Sequence, residues 1–243
     1  IRIKKNDFAK IESAAKFDFD GNDYFGPYPN RFIVSKLKDI IDKTFQLREC
    51  TDKELLKKRK CYLHDIERCL APCIYNEKKI YDEELIKVYD FLIGNNQSAI
   101  NRLLAKMKSL SEQKKYEKAA EIRDLVQNIL NQIHKTSILS EPLNKAKVLI
   151  EINSFPKNEY VLLIEGKVLI KDFFLDDRND FENAIDDFFD GTILVTNKLS
   201  ETNLERLKIS LSWLVKNKSK IKIHYLNNYI SKEELATNLQ FRI

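Results

Sequence analysis

Cys50, Cys61, Cys69 and Cys73 are the only cysteines of the 243-residue chain, and all four fall within 24 residues. Scattered core cysteines would not cluster in this way, and disulfides need an oxidising compartment for which the sequence gives no sign. A bound metal accounts for the clustering, because four thiolates are the ligand set of structural zinc and of a cubane iron–sulfur cluster. The spacing Cys-x10-Cys-x7-Cys-x3-Cys lacks the Cys-x2-Cys pairs usual in zinc sites. It therefore favours [4Fe–4S] and leaves zinc as the alternative.

Cations surround these cysteines. The run Lys57-Lys58-Arg59-Lys60, here called the basic strip, directly precedes Cys61, and Arg68 directly precedes Cys69. Net charge is a mild +5, but the first 75 residues carry 16 Lys and Arg against 12 Asp and Glu. Such a run is either a solvated face or a contact for nucleic-acid phosphate, and next to the cysteines we predict DNA contact through the strip and Arg68. The same cations should lower the pKa values of the thiols.

Few other residues could do chemistry. His64, His134 and His224 are far apart in sequence and have no obvious nucleophile partner, and His64 is a candidate phosphate contact that more often would only pack. No glycine-rich phosphate loop occurs. A two-metal nuclease needs several carboxylates, and Glu151 alone lies on a predicted strand in a suitable place, while the predicted strand that ends at Asn197 lacks one. We therefore expect no catalytic residue in this chain.

Hydrophobic periodicity predicts the elements that hold these residues. A helix begins at Arg31 and leads to Cys50, and helices follow at 82–92, 99–110 and 116–133, the last two as a hairpin. Past His134 the period changes to strands. The predicted elements there are strands 148–152, 160–164 and 168–174 with a tight turn at Gly166, helix 181–189, strand 192–196, helix 201–215, strand 220–225 and helix 232–239.

The predicted fold class is α+β with several domains. Residues 1–49 form a linked region with a connecting helix, residues 50–75 form the cysteine segment, and residues 76–135 form helices that include the hairpin. Residues 136–243 form an α/β domain in the order β-β-β-α-β-α-β-α. That order matches ribonuclease H-like folds, although element order alone is weak evidence for function.

Three blocks follow one another along the first half: YFGPYP at 24–29, FQLREC at 45–50 and CYLHDIERCLAPC at 61–73. Together they resemble the UvrC family, the nuclease subunit of bacterial nucleotide-excision repair. The resemblance implies a [4Fe–4S] cluster on the four cysteines. It also implies that the family's GIY-YIG catalytic residues lie before this region, and that its second nuclease domain and helix-hairpin-helix pair lie after it.

The predicted hairpin resembles the same family's UVR motif, through Met107 and the stretch YEKAAEIRD at 116–124. In the family this hairpin pairs with a similar hairpin on UvrB. Small residues at 119 and 120 would let another helix approach closely, and neighbouring charges could meet a partner. The alternative is a hairpin that packs only within its own chain. The partner-binding residues implied are Met107, Tyr116, Glu117, Ala120, Arg123 and Asp124.

These observations predict a DNA-binding and partner-binding portion of a UvrC-like repair nuclease, with a UvrB-like protein as the partner. Two alternatives stay open: a stand-alone metal-dependent nuclease that uses the C-terminal α/β domain, and a zinc-stabilised protein-interaction scaffold. No apolar run approaches the roughly 20 residues of a membrane span, and no signal peptide is visible. We expect a cytoplasmic protein.

Overall fold

The structure, a computed structural model, describes residues 1–18, 20–28, 30–132, 139–156, 158–171, 178–192 and 200–239. The chain divides into two compact units: residues 1–16 with 21–140, and residues 17–20 with 141–243. His134, Asn197 and all but the first residue of the strand predicted at 192–196 lie outside the described residues.

The first unit begins with a small antiparallel sheet in the order β2-β1-β3. Its strands are β1 (Arg2–Lys4), β2 (Lys10–Glu12) and β3 (Asp23–Tyr24). Ile3 lies opposite Ile11, and both side chains are buried. In β1 and β2 a buried residue lies between two half-buried ones, so one face of the small sheet packs on the core.

Helix α1 (Arg31–Thr44) starts where the sequence predicts. The side chain of Asn30 caps it by accepting a hydrogen bond from the Ile33 N–H at 3.0 Å. Its buried positions recur at helical spacing, so one face of α1 joins the core. The cysteine segment follows shortly after the end of this helix.

Six further helices lie in the described part of the first unit. The cysteine segment holds three helices of one turn each, which are α2 (Asp52–Leu55), α3 (Tyr62–Asp65) and α4 (Pro72–Tyr75). The long helices α5 (Lys78–Leu92), α6 (Gln97–Glu112) and α7 (Tyr116–Gln132) follow, and the predicted hairpin of α6 and α7 is confirmed. Helix α5 begins four residues earlier than predicted, because Tyr81 in that first turn packs into the core. One apolar cluster joins α1, α5, α6, α7 and the small sheet.

The second unit is built on an antiparallel sheet in the order β6-β5-β4-β7 among the described strands. Glu165 and Gly166 connect β5 to β6, and both have positive φ (48° and 91°) as a two-residue hairpin turn requires. The predicted turn at Gly166 is therefore confirmed. The elements are β4 (Lys147–Ile152), β5 (Glu159–Ile164), β6 (Lys167–Lys171), α8 (Arg178–Phe189), α9 (Glu201–Lys216), β7 (Ile221–Tyr225) and α10 (Lys232–Asn238).

Helices lie against this sheet. Leu149, Tyr160 and Leu162 on one face pack with apolar residues of α8 and α10. Helix α9 contacts β6, and its three buried leucines stand outside that cluster. The mixed helix and sheet class is thus confirmed, while the ribonuclease H-like order stays a prediction because its fourth strand is not described. None of the helices in the described ranges combines the length and the apolar character that crossing a membrane would take.

Candidate functional site: the cysteine segment and the helical hairpin

The cysteine segment has almost no core of its own. Among the residues of its three short helices only Pro72 is buried. Four non-glycine residues in and directly after the segment, Lys58, Glu67, Ala71 and Asn76, have a left-handed backbone with φ between 49° and 58°. Each such residue costs about 1–3 kcal/mol, so the conformation must be held by something other than local packing.

Arg48 provides part of that support. Its side chain is buried, with Nε donating to the Phe8 carbonyl at 2.7 Å and Nη1 donating to the Cys50 carbonyl at 3.0 Å. Nη2 donates to Asp52 Oδ1 at 2.6 Å. A planar guanidinium can serve three acceptors at once, so Arg48 fixes the first cysteine to the sheet side of the core. The sequence shows Arg48 only as part of the FQLREC block and predicts no separate role for it.

A second set of hydrogen bonds links Gln46, shortly before Cys50, to the residues on either side of Cys69. The Leu70 N–H donates to the Gln46 carbonyl at 3.0 Å. The Gln46 side chain donates to the Glu67 carbonyl at 2.9 Å. The Gln46 N–H in turn donates to the buried Glu84 carboxylate at 2.9 Å. These bonds hold Cys69 beside the residues that lead to Cys50.

All four cysteines are free thiols. Cys69 is buried, and this burial, with smaller effects from the charges of the other three cysteines, raises the pKa of its thiol to about 11. Burial also raises the pKa of Cys73. The expected lowering of the thiol pKa values by the nearby cations is therefore wrong for these two residues. The strip cations are exposed and well hydrated, so desolvation of the thiolates outweighs their attraction.

The donor set has the chemistry that a thiolate-bound metal needs. The Ala71 N–H points at Cys69 Sγ over 3.4 Å, which is the kind of bond that stabilises a ligating sulfur. The charges of Cys50, Cys61 and Cys73 all contribute to the raised pKa of the Cys69 thiol. Within the described residues no three His, Cys, Asp or Glu side chains are grouped closely enough to hold one metal ion. The fit thus rests on the donor set, the Ala71 amide and the lack of a local core.

The basic strip lies beside this site. All four of its side chains are exposed, and the Arg59 carbonyl is 3.4 Å from Cys73 Sγ. The Lys60 ammonium lies 5.5 Å from the ring centre of Tyr75, whose hydroxyl raises the pKa of that lysine. The strip is therefore charged, open to solvent and adjacent to the last cysteine.

Arg68 and His64 are engaged inside the protein. Arg68 donates to Glu49 at 3.0 Å and to the Asp42 carbonyl at 3.1 Å, and it is half-buried. His64 Nδ1 lies 3.0 Å from the Cys69 carbonyl oxygen, and the ring packs against Tyr75. Both residues brace the segment, which gives them a structural use besides any contact with phosphate.

The hairpin presents two different faces of α7. Leu125 and Ile129 are buried in the core of the chain, and Ala119 is only 9% exposed. Helical spacing turns the opposite face to solvent, and Tyr116 there is 65% exposed. The predicted partner-binding residues of α7 all share this outer face: Tyr116, Glu117, Ala120, Arg123 and Asp124.

Details of the hairpin modify the predictions from sequence. Ala119 contributes to packing within the chain, so Ala120 alone is the small residue of the outer face. Met107 is half-buried one turn after the buried Leu103 on α6, and so it belongs to the inner side of the hairpin. Arg123 donates to its neighbour Asp124 at 2.8 Å, and both side chains are largely exposed.

In the second unit, Glu151 is not open to solvent as a nuclease carboxylate would be. It is buried, accepts a hydrogen bond from the Asn158 side chain at 2.8 Å, and lies 3.2 Å from His224 Nε2. His224 Nδ1 is 2.9 Å from the Tyr229 hydroxyl. Both carboxylate oxygens of Glu151 therefore have hydrogen-bond partners inside the protein, as buried polar groups normally do, and neither is directed at a substrate.

Comparisons with known proteins agree with this layout. Residues 1–91 match the middle domain of the UvrC/Cho excinucleases, and residues 97–132 match the UvrB/UvrC motif. The second match begins at the start of α6 and ends at the end of α7. These matches define the class: an excinuclease middle domain followed by a UVR hairpin.

Curated relatives carry the similarity further along the chain. The UvrABC system protein C of Clostridium kluyveri is 30% identical over 92% of this chain and 38% of its own length. The UvrABC system protein C of Thermotoga maritima is 27% identical over 76% of this chain and 35% of its own length, and that of Finegoldia magna is 27% identical over 78% and 33%. The chain belongs to the UvrC family. It spans about a third of the length of the curated relatives it matches. No solved structure matches it.

Proposed function

We propose that this chain is the portion of a UvrC-type excision-repair nuclease that contacts DNA and a UvrB-type partner, with an iron–sulfur cluster that stiffens the contact region. The observation that carries the proposal is the UVR hairpin, whose motif residues on α7 form one solvent face while the opposite face is buried in the core. The relatives are named for the UvrABC system, which supports excision repair as the setting.

A UvrB-type helical hairpin is the proposed partner. An exposed tyrosine, a small residue at the centre of the face and flanking charges suit the close approach of a second helical pair. Lys118 lies off that face and is equally open to solvent, which makes it a matched control for Arg123.

The experiment measures binding of a UvrB-type protein to the chain by calorimetry. Arg123→Glu should weaken binding at least about tenfold through like-charge contact, while Lys118→Glu makes the same charge change with little effect. Both variants should keep the far-ultraviolet circular dichroism of the parent, because both positions are exposed. Equal affinities for the two variants, or loss of helix in Arg123→Glu, would contradict the proposed role of this face.

For the cofactor we propose that Cys50, Cys61, Cys69 and Cys73 hold a [4Fe–4S] cluster. When bound, such a cluster would supply a rigid link between parts of a segment that lacks a core, and no chemical step is assigned to it. The four left-handed residues and the three single-turn helices support the need for a bound group. Zinc would meet the same need with the same ligands, so the metal must be identified directly.

The metal is identified by absorbance and metal analysis after the protein has been purified without air. We expect a brown protein with broad absorbance at about 400 nm and about four irons per chain. The variant Cys61→Ser should lose iron, whereas Ser212→Ala, an exposed position on α9 of the second unit, should keep it. A colourless protein with a single tightly bound zinc would overturn the cluster proposal and favour the zinc-stabilised scaffold.

The second unit is proposed to be a non-catalytic α/β domain, and a ribonuclease H-like arrangement of its strands stays part of that proposal. The burial of Glu151 between Asn158 and His224 supports a structural use for this carboxylate. Incubation of labelled DNA with the chain and Mg²⁺ or Mn²⁺ should give no cutting. Cutting that Glu151→Gln abolishes would favour the stand-alone nuclease.

A further inference from the structure

A cavity of about 330 Å³ in the first unit is lined by four cations. It lies where the end of α1, residues 67 and 68 of the cysteine segment, and α6 meet. The cations are Lys43, Arg68, Arg102 and Lys106, and Glu67 is the single carboxylate among the lining residues. Neither the predicted metal site nor the outer face of the hairpin includes this cavity.

The two arginines are fixed in position by hydrogen bonds and ion pairs to other parts of the first unit. Arg68 is held by Glu49 and by the Asp42 carbonyl. Arg102 pairs with both oxygens of Glu84, with Nη1 donating to Oε1 and Nη2 donating to Oε2 at 2.8 Å, and its Nη1 also donates to the Thr44 carbonyl at 3.1 Å. A guanidinium has five N–H donors, so these contacts leave donors on both arginines for a ligand.

Lys106 differs from the other three cations. Lys43 pairs with Asp39 at 2.8 Å, but Lys106 has no ion pair within the described part of the chain. An unpaired ammonium beside two fixed guanidinium groups favours an anion with several acceptor oxygens.

Thr44 gives an independent sign of a ligand. It belongs to the cavity wall and is only 5% exposed, and its hydroxyl has no hydrogen-bond partner among the described residues. A buried hydroxyl without a partner is destabilising, and an acceptor oxygen in the cavity would relieve that penalty. Gln46 and Ser109 add further polar groups to the lining.

We propose that this cavity binds a phosphate group. Phosphate matches the site because it combines negative charge with several acceptor oxygens that converging arginine, lysine and hydroxyl donors can share. The group can come from a DNA backbone or from free phosphate, since both present the same oxygens. The proposal depends on the proposed DNA contact only in the first case. In either case the ligand joins the cysteine segment to α6 of the hairpin.

The first experiment titrates the full chain with inorganic phosphate and with pyrophosphate at matched ionic strength, by calorimetry. Lys106→Gln should weaken binding about tenfold, as expected for loss of a charge-assisted bond. Lys108→Gln, an exposed lysine two positions further along the same helix, should bind as the parent does. Equal affinities for the two variants, or no saturable binding by the parent, would overturn the proposal.

A second variant tests the site without removing a charge. Thr44→Val keeps the shape of the side chain and removes the unpartnered hydroxyl, so the ligand-free protein should melt at the same or a higher temperature. The rise in melting temperature that phosphate produces should shrink in this variant. The same rise in the parent and in Thr44→Val would count against the site.

The source of the phosphate is settled with labelled DNA. If a backbone phosphate occupies the cavity, Lys106→Gln should reduce the salt slope of DNA binding by about 0.9, and pyrophosphate should compete. Loss of phosphate binding with unchanged DNA binding would support free phosphate as the ligand. Alanine replacement of the basic strip tests the proposed DNA contact separately, so the two ideas can fail independently.

Discussion

The Nη1 of Arg48 donates to the carbonyl oxygen of Cys50 over 3.0 Å, while its Nε reaches the Phe8 carbonyl at 2.7 Å. One buried guanidinium therefore ties the first cysteine to Phe8, a residue next to the small sheet that lies 40 positions before Arg48. Tyr81 on α5 adds to the same junction, because its hydroxyl accepts from the Arg48 N–H and donates to the Ala9 carbonyl. The cysteine segment thus depends on the core more than on its own packing.

Replacement of Arg48 should loosen this junction. Arg48→Met leaves the buried Phe8 carbonyl and the partly buried Cys50 carbonyl without their donors, and it should lower the free energy of unfolding of the first unit by about 3 kcal/mol. Amide hydrogen exchange in the first unit measures the change. The control Arg59→Met alters an exposed arginine and should stay within about 0.5 kcal/mol. Equal protection in the two variants would mean that the buried guanidinium contributes little.

Thiol reactivity should distinguish Cys69 in the metal-free protein. Burial raises the pKa of this thiol to about 11, so at pH 8 it is almost entirely protonated. Alkylation with iodoacetamide, followed by mass spectrometry, should label Cys69 at least about tenfold more slowly than Cys61. Raising the pH toward 11 should narrow the difference. Labelling of both residues at one rate at pH 8 would contradict the buried position of Cys69.

The second unit should lose stability in mild acid through His224. Burial lowers the pKa of His224 below its ordinary value, and the charge of Lys222 lowers it further. The hydrogen bond with Glu151 acts in the opposite direction but is the weaker effect. The unfolded chain therefore binds a proton at higher pH than the folded state does. The stability from neutral His224 is present at neutral pH and is lost as the pH falls from about 6.5 toward the lower pKa of the folded state.

Trp213 provides the measurement, because it is the single tryptophan of the chain and lies on α9 of the second unit. Its fluorescence during urea unfolding should report a lower midpoint at pH 5.5 than at pH 7.5. His224→Gln should flatten that difference, since glutamine does not titrate. A pH dependence that persists unchanged in the glutamine variant would assign the effect to other groups.

The basic strip should contribute to DNA affinity in a salt-dependent way. Alanine at Lys57, Lys58, Arg59 and Lys60 should weaken binding and reduce the salt slope by about 0.9 for each DNA phosphate that the strip no longer neutralises. Anisotropy of labelled DNA over a range of NaCl concentrations measures both quantities. Alanine at Lys216, Lys218, Lys220 and Lys222 is a control with equal charge change in the second unit. An unchanged slope in the strip variant would reject the strip as a DNA contact.

Periodic elements were predictable from the sequence, and contacts between distant segments were not. The helix from Arg31, the α6–α7 hairpin and the turn at Gly166 follow local rules of spacing and turn geometry, and the structure has them. The one-turn helices of the cysteine segment were not predicted, because four residues are too few to display a helical period.

The roles of Arg48, Thr44 and Cys69 arise from tertiary packing. Arg48 binds a carbonyl 40 residues away, and the cavity beside Thr44 takes its walls from three separate stretches. The cations near Cys69 suggested a lowered pKa for its thiol, but burial raises that pKa. The burial results from the tertiary fold, so it cannot be predicted from the residues next to Cys69 in sequence.

The inner face of α7 already packs in the core of its own chain, through Leu125 and Ile129. A partner that docks on the outer face therefore adds a layer and displaces no helix. Association then requires neither an exchange of helices between chains nor prior melting of the hairpin, so it avoids the entropy cost of ordering a flexible segment. The complex should form by rigid docking of one partner hairpin per chain, with little change in heat capacity beyond that of the buried contact itself.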